Sequence, residues 1–203
     1  MNGETLAESL RGRIRDKDVL AAINKVNRAR FLDPSLRSRA AEDCPLPIGF
    51  SQTTSQPFVI ARMLEMLTGS GGGRLAKVLE IGAGCGYQSA ILGELCDSVV
   101  CMERVKALVA VAKANLRNCD NVRIMHGDGF GGCPDLAPFD GIVVCAEADV
   151  IPQQLVAQLA EKARLIMPLA GHKGVELVAV NNRGEVIKRR EQVQFVPMLK
   201  NLA

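Results

Sequence analysis

The chain has 203 residues, of which 48% are apolar and 23% charged, and its formal net charge is +3. This composition is typical of a globular protein and excludes a disordered chain, a collagen-like repeat and a coiled coil. The weak, dispersed charge predicts no nucleic-acid partner, and no apolar stretch approaches the ~20 residues that a membrane span needs.

The polar first 18 residues lack the apolar core of a signal peptide. The seven cysteines form no CxxC pair and the two histidines stand far apart, so we expect reduced thiols, a cytoplasmic protein and no metal site. Aromatic residues make up only 3% of the chain, which argues against base-stacking platforms for nucleic acid. The nearest approach to a basic patch, residues 188–190, is flanked by Glu185 and Glu191 and is interpreted as a solvated strand face or turn.

Before a glycine-rich run at 69–73, the apolar residues recur at helical spacing. The predicted helices in this part span residues 4–11, 17–27 and 57–67. Residues 28–54 are rich in proline and polar residues and are predicted to be irregular. Ser55 or Gln56 is the predicted N-cap of the third helix, which opens on a proline.

After the glycines, strands and helices alternate. The predicted strands span 76–81, 98–102, 121–125, 139–145, 163–167, 175–180 and 185–195, and the predicted helices span 87–95, 105–116 and 151–159. This order predicts an α/β fold: a doubly wound, mostly parallel Rossmann-like sheet with an antiparallel C-terminal hairpin and N-terminal helices. We expect one domain over 1–203, made of a helical extension with a substrate loop (1–68) and a cofactor-binding α/β core (75–203).

The first strand of this core runs into the glycine-rich sequence EIGAGCGY at 80–87 and then into a helix. In a doubly wound sheet this turn is where a nucleotide-like ligand lies against the backbone. Tyr87 occupies the position of the last glycine in the dinucleotide fingerprint GxGxxG, and no Gly-Lys-Ser/Thr follows as a P-loop requires. A glycine-rich turn beside a carboxylate, here Glu80, suits a ligand that is cationic at its reactive end.

Acidic residues also end the next two strands. Glu103 is placed to accept hydrogen bonds from ribose hydroxyls, and Asp128, between two glycines, from an adenine amino group. Each feature alone also fits a tight turn or a strand-end cap, but together they predict a site for S-adenosylmethionine, with S-adenosylhomocysteine as the product. The predicted cofactor-binding residues of the core are Glu80, Gly82, Ala83, Gly84, Cys85, Gly86, Glu103, Arg104, Asp128 and Gly129.

Several segments resemble those of class I methyltransferases: VLEIGAGCGYQSAIL, CMER with HGDGFGG, and APFDGIVVCAEADVIPQQL. Within that class, PLPIGFSQTTSQPFVIARMLEML and the closing QVQFVPML resemble the protein-L-isoaspartate O-methyltransferase family, over about residues 19–199. The resemblance implies a repair enzyme that moves a methyl group from S-adenosylmethionine to the free carboxylate of L-isoaspartyl residues. Its partners would be isoaspartyl-containing peptides and proteins, and an open cleft for such substrates predicts a monomer.

The resemblance also implies roles outside the glycine turn. Ser55 would be the catalytic residue that holds the substrate carboxylate through its hydroxyl, with plain N-capping as the alternative. The loop expected to cover the cofactor and touch the substrate consists of Gln52, Thr53 and Thr54. The residues expected to line the peptide cleft, or else to pack in the core, are Ile48, Gly49, Val196 and Pro197.

The chain departs from the family pattern near the expected substrate site. Ser51 stands where glycine is usual, Thr54 replaces a common Ile or Leu, and Glu147 and Asp149 stand where small residues and proline are usual. Extra negative charge there would repel a substrate carboxylate. Two alternatives therefore stay open: a methyltransferase for another substrate, such as a small carboxylic acid or a nucleic-acid base, and a non-catalytic cofactor-binding relative.

Overall fold

The computed structural model describes residues 5–69 and 73–203. Its α-helices are α1 (Leu6–Leu10), α2 (Lys17–Lys25), α3 (Pro57–Thr68), α4 (Tyr87–Leu95), α5 (Lys106–Asn115) and α6 (Gln153–Val156). Its strands are β1 (Leu46–Gly49), β2 (Gln52–Thr54), β3 (Leu75–Ile81), β4 (Cys96–Glu103), β5 (Val122–His126), β6 (Phe139–Val144), β7 (Leu159–Gly171), β8 (Gly174–Val180) and β9 (Val186–Gln192). Glu4, in the first predicted helix, and 70–72, in the glycine run, lie outside the described residues. No helix in the described ranges is long and apolar enough to cross a membrane.

Seven of the strands form one sheet in the order β5-β4-β3-β6-β7-β8-β9. The five strands from β5 to β7 pair in parallel, and β8 pairs antiparallel with both β7 and β9. The strand order reverses at β3, because the chain adds β4 and β5 on one side before it crosses to β6 on the other. The predicted parallel sheet with an antiparallel C-terminal hairpin is therefore confirmed.

Alternating side chains of the central strands supply two apolar cores, one on each face of the sheet. On one face, Val78 and Val99 belong to a cluster with the buried sides of α2, α3 and α4. On the other face, Leu79 and Val100 belong to a second cluster with Phe139 and the buried side of α6. Helices on both faces explain why the parallel strands are almost continuously apolar.

Three predicted segments differ from the structure. Residues 28–54, predicted to be irregular, contain two 3₁₀-helices (Arg28–Phe31 and Pro34–Arg39) and the hairpin β1–β2. The helix predicted over 151–159 is reduced to the four residues of α6. Strand β7 extends beyond the predicted 163–167 at both ends, because Leu159 pairs with Phe139 of β6 and residues 168–171 pair with β8.

The β1–β2 hairpin contains an unfavourable turn. Gly49 pairs with Gln52, so the loop consists of Phe50 and Ser51 alone, with φ of 53° and 56°. Positive φ at both positions is the type I′ form of the two-residue hairpin, in which Asn-Gly and Gly-Gly are preferred. The serine that departs from the family pattern therefore occupies a left-handed position, which destabilises a residue with a side chain by about 1–2 kcal/mol.

We expect Ser51→Gly to stabilise the protein. Relief of the left-handed strain outweighs the extra backbone entropy of glycine in the unfolded chain, which leaves a gain of about 0.5–1 kcal/mol in the free energy of unfolding. Urea titration measures it. The matched control is Ser38→Gly, at an exposed 3₁₀ position with negative φ, where the same change destabilises by about 0.5–1 kcal/mol. Equal effects of the two substitutions would contradict the strain argument.

Candidate functional site

A cavity of about 900 Å³ lies at the carboxyl ends of the central parallel strands, beside β3 where the strand order reverses. Open α/β sheets bind their ligands at this kind of switch point. We call it the strand-end cavity. Most of the predicted site residues line it: Ile48, Gln52, Thr53, Thr54, Ser55, Gly82, Ala83, Gly84, Cys85, Glu103, Arg104, Gly129, Val196 and Pro197. Four predicted residues do not: Gly49, Glu80, Gly86 and Asp128.

The glycine turn between β3 and α4 forms the floor of this cavity. Gly82, Gly84 and Gly86 have φ of 90°, 56° and 87°, which side-chain-bearing residues rarely adopt. A Cβ on Gly84 would lie 3.0 Å from Ile48 Cδ1, and one on Gly86 would lie 2.8 Å from Leu116 Cδ1. The sequence needs glycine here for both its backbone conformation and its close contacts, so the turn leaves bare main chain facing the cavity.

Glu103, the last residue of β4, fastens this turn to the next strand. One carboxylate oxygen accepts from the Gly84 N–H and the other from the Val105 N–H, both at 2.9 Å. The residue is 6% exposed and still lines the cavity. Each carboxylate oxygen has a further lone pair, so Glu103 can hold the turn and accept from a ligand hydroxyl at once.

Glu80 lies under the floor and is completely buried. Burial raises the pKa of Glu80 to about 7, against hydrogen bonds from the Ser89 hydroxyl and the Cys101 and Cys145 thiols, which lower it. The Cys145 Sγ lies 3.9 Å from Glu80 Oε1 and itself lines the cavity. Glu80 therefore does not line the cavity itself, and Cys145 is a side chain that contacts both.

Asp128 follows β5 as predicted, but backbone donors surround its carboxylate. One oxygen accepts from the Phe130 N–H and the other from the Asn201 N–H, both at 2.9 Å. Arg104 also reaches this C-terminal segment, since its Nε donates to the Asn201 carbonyl at 3.0 Å. The two strand-end residues therefore hold the 198–203 segment, from which Met198 and Leu199 line the cavity.

Ser55 lies between β2 and α3, at the other end of the cavity. The N-cap of α3 is Gln56, and the Ser55 hydroxyl donates to no acceptor among residues 5–69 and 73–203. The side chain lines both the strand-end cavity and an adjoining groove between α3 and the end of β9. We call this second space the glutamine groove, because Gln56, Gln192 and Gln194 line it.

Arg28 holds the Ser55 segment in place and was not predicted from the sequence. The side chain is 3% exposed and donates to the carbonyls of Glu42 and Cys44 at 2.8 Å and of Ser55 at 3.3 Å. Its guanidinium carbon lies 5.8 Å from the centroid of the Tyr87 ring. Burial lowers the pKa of Arg28. The burial of Arg28 could not be predicted from its polar sequence surroundings, because the carbonyls that it bonds to lie up to 27 residues away.

The sequence also missed a group of residues that follow β6. Cys145 and Ala146 line the cavity because the carboxyl end of β6 lies beside that of β3, where Gly82 stands. Glu147, the next residue, lines neither space; its backbone pairs with Val196 and Met198 at 2.9 and 2.7 Å and so positions the Val196 wall. These residues could have been predicted, since the carboxyl ends of all parallel strands lie at the same edge of a sheet and residues after β6 therefore lie near those after β3.

The cavity fits the cofactor that the sequence predicts. Its walls combine bare glycine backbone and the Glu103 carboxylate with apolar side chains, including Ile81 and Met102, as small-molecule sites commonly do. The buried Tyr87 hydroxyl at its edge has no hydrogen-bond partner within the described chain, and burial raises its pKa to about 12. Among those same residues, no cluster of His, Cys, Asp or Glu is placed to hold a metal ion.

Comparison with known proteins matches the whole chain to one family. The family model described as protein-L-isoaspartate(D-aspartate) O-methyltransferase matches residues 2–203. A relative named protein-L-isoaspartate O-methyltransferase from Azoarcus sp. is 46% identical over 96% of this chain and 91% of its own length. One of the same name from Halorhodospira halophila is 44% identical over 92% and 86%.

A solved structure gives the same result for the fold. A Plasmodium falciparum chain described as a protein-L-isoaspartate O-methyltransferase in complex with S-adenosyl-L-homocysteine superimposes with a TM-score of 0.84. It is 28% identical, and the alignment covers 97% of each chain. The Rossmann-like methyltransferase fold predicted from the sequence is confirmed.

We expect Glu103→Gln to weaken binding of S-adenosylhomocysteine about ten- to a hundredfold, because the amide keeps one acceptor and turns a donor toward a backbone N–H. Isothermal titration calorimetry measures it, on protein shown to be folded by its unfolding transition. Glu161→Gln, the same change at an exposed position, is the control. Unchanged affinity in Glu103→Gln would contradict the predicted role.

Glu80 makes stability depend on pH. Its pKa rises from 4.5 in the unfolded chain to about 7 on folding, so the folded state binds more protons in this range. Stability is therefore greatest below about pH 4.5 as far as this group is concerned and falls by on the order of 3 kcal/mol as pH rises through 7. Urea unfolding between pH 5 and 8 measures the slope, which Glu80→Gln removes and Glu161→Gln leaves in place. An unchanged slope in Glu80→Gln would refute the assignment.

Proposed function

The chain belongs to the protein-L-isoaspartate O-methyltransferase family, and we propose that it transfers a methyl group from S-adenosylmethionine to the free carboxylate of L-isoaspartyl residues in damaged proteins. The main support for this proposal at the level of residues is the position of Ser55. Its side chain lines both the strand-end cavity and the glutamine groove. The cofactor occupies the first space and the isoaspartyl peptide the second, so that donor and acceptor meet at Ser55.

The cofactor supplies a methyl group on a sulfonium, which is lost readily to an anionic oxygen. The acceptor is a carboxylate, with an ordinary pKa near ~4, and is already ionised at neutral pH. No general base is needed. The side chains that line the cavity agree with this requirement, since neither His126 nor His172 is among them in the described structure.

The residues of this chain act by alignment and by exclusion of water. Ser55 donates its hydroxyl hydrogen to one substrate carboxylate oxygen and leaves the other free to attack. Gln52, Thr53 and Thr54 cover the cavity from the hairpin, and Val196 and Pro197 bound the opposite side. Holding two reactants in line in this way is worth up to ~7–11 kcal/mol of the barrier.

The repair follows from the leaving group. A methyl ester next to a peptide N–H closes to a succinimide with release of methanol, whereas a free carboxylate closes poorly. Water then opens the succinimide, and part of the product is ordinary aspartate. We further propose that the enzyme works as a monomer in the cytoplasm. An open glutamine groove suits a protein substrate, and seven free thiols are typical of a protein in a reducing compartment.

We expect Ser55→Ala to lower kcat/KM for an L-isoaspartyl peptide about ten- to a hundredfold, through loss of a hydrogen bond to a charged group. Because Gln56 is the N-cap, the substitution leaves the melting temperature and cofactor affinity unchanged. Base-labile methyl label from S-adenosylmethionine measures the transfer, and the same peptide with ordinary aspartate sets the background. Ser38→Ala, at an exposed position, is the matched control.

Full activity in Ser55→Ala would overturn the role of the hydroxyl but not the function. Cofactor binding without label on any isoaspartyl peptide, in the unsubstituted protein, would overturn the function itself and favour a different substrate or a non-catalytic relative.

A further inference from the structure

A second groove lies near the glutamine groove and is rich in basic side chains. It lies between the start of α2, the exposed side of α3 and the outer strand β9. Its basic residues are Arg13, Arg15, Lys17, Arg62, Lys188 and Arg190. We call it the basic groove. It includes two of the three residues of the Lys188–Arg190 run, which the catalytic site does not use.

Most acidic side chains of this groove are already engaged within the fold. Glu65 accepts from two backbone N–H groups and forms an ion pair with Arg62, which also pairs with Glu191 at 2.9 Å. Asp16 caps α2 and accepts from the Thr68 hydroxyl at 2.7 Å. Donors within the protein therefore largely compensate these negative charges.

The basic side chains are less occupied. Four of them, all exposed, form no ion pair with any carboxylate in the described ranges: Arg15, Lys17, Lys188 and Arg190. A shift of register near the end of β9 lets Arg190 and its neighbour Glu191 both line the groove. Arg189, between the two free cations of the strand, instead pairs with Glu176 outside the groove. Asp16 and Asp18 are the acids of the groove that form no ion pair within the described ranges, so four unpaired cations against two acids leave the groove with unpaired positive charge for a ligand.

The basic groove and the glutamine groove are neighbours, since residues of α3 and of the end of β9 line both. Asp43 accepts from Arg13, which lines the basic groove, and from Gln56, which lines the glutamine groove, at 2.9 and 3.1 Å. Gln56 and Arg62 stand six residues apart along α3, about 9 Å at ~1.5 Å per residue. An extended peptide covers that distance in about three residues.

We propose that the basic groove binds an acidic segment of the isoaspartyl substrate, centred three to five residues from the isoaspartyl position. This inference rests on the proposed function and assigns to it a substrate preference. The observations that favour an acidic peptide are the complementary charge, the proximity to the Ser55 site along α3 and the matching length. Attraction of this kind lowers KM and is weakened by salt, while kcat, which depends on the Ser55 site, stays the same.

The test compares isoaspartyl peptides that differ only at positions three to five on either side, where they carry glutamate, glutamine or lysine. The enzymes are the unsubstituted protein, K188Q/R190Q, and the matched control K113Q/R117Q, which removes two exposed charges from α5 and its end. On one side of the isoaspartate we expect glutamate to lower KM about three- to tenfold relative to glutamine at low salt. K188Q/R190Q abolishes that difference, K113Q/R117Q keeps it, and K188E/R190E transfers the preference to the lysine peptide.

Other outcomes overturn the proposal. Equal KM values for the glutamate and glutamine peptides on both sides, with normal methylation of both, would refute the acidic-segment site and leave the proposed function standing. No methylation of any peptide would refute the function and the inference together. Inhibition by heparin that disappears in K188Q/R190Q, without a difference between the peptides, would assign the groove to polyanions such as nucleic acid instead.

Discussion

The hydrogen bonds of Glu103 determine the geometry of the site. Its two carboxylate oxygens accept from N–H groups at the ends of two different strands, Gly84 after β3 and Val105 after β4. Between the glycines only the small side chains of Ala83 and Cys85 pack into the core, so this carboxylate helps to fix where the bare backbone lies. Gly82 adds a second fastening, since its N–H donates to the Met102 carbonyl at 2.8 Å. The cofactor half of the cavity follows from these strand-end contacts and from the reversal of strand order at β3.

The substrate half depends on a different kind of contact. Here the buried Arg28 side chain donates to carbonyls of the irregular segment that leads to Ser55 and so fixes its backbone. Asp43 repeats the arrangement on the other side of Ser55, since it accepts from the Phe58 N–H at 2.8 Å and from Gln56. Side chains that bond to irregular backbone hold the Ser55 segment in place, while the Ser55 hydroxyl itself bonds to no acceptor in the described ranges.

This difference explains how much could be predicted from the sequence. The sheet, the glycine turn and Glu103 were predictable because periodicity and spacing within about twenty residues encode them. The β1–β2 hairpin was not, since Phe50 and Ser51 are poor turn residues and nothing local favours their left-handed conformation. Arg28 was missed because its partners are remote in sequence. The positions of Ser55, Val196 and Pro197 around one cavity agree with the family resemblance, while their roles stay predictions.

The acids around the cavity are compensated within the fold. Glu80 lies under its floor, Glu103 in its wall and Asp43 beside Gln56, and each is compensated in a different way. Glu103 is solvated by two backbone N–H groups, Asp43 by a backbone N–H and the Arg13 guanidinium, and Glu80 is buried with its pKa raised to about 7, so that it is partly protonated at neutral pH. Uncompensated carboxylates at these positions would repel the carboxylate of a substrate, whereas they would attract the positive charge of a sulfonium. Among the described residues of the basic groove, four cations but only two acids, Asp16 and Asp18, form no ion pair, so the unpaired charge of the groove is on balance positive, as the proposed acidic substrate segment requires.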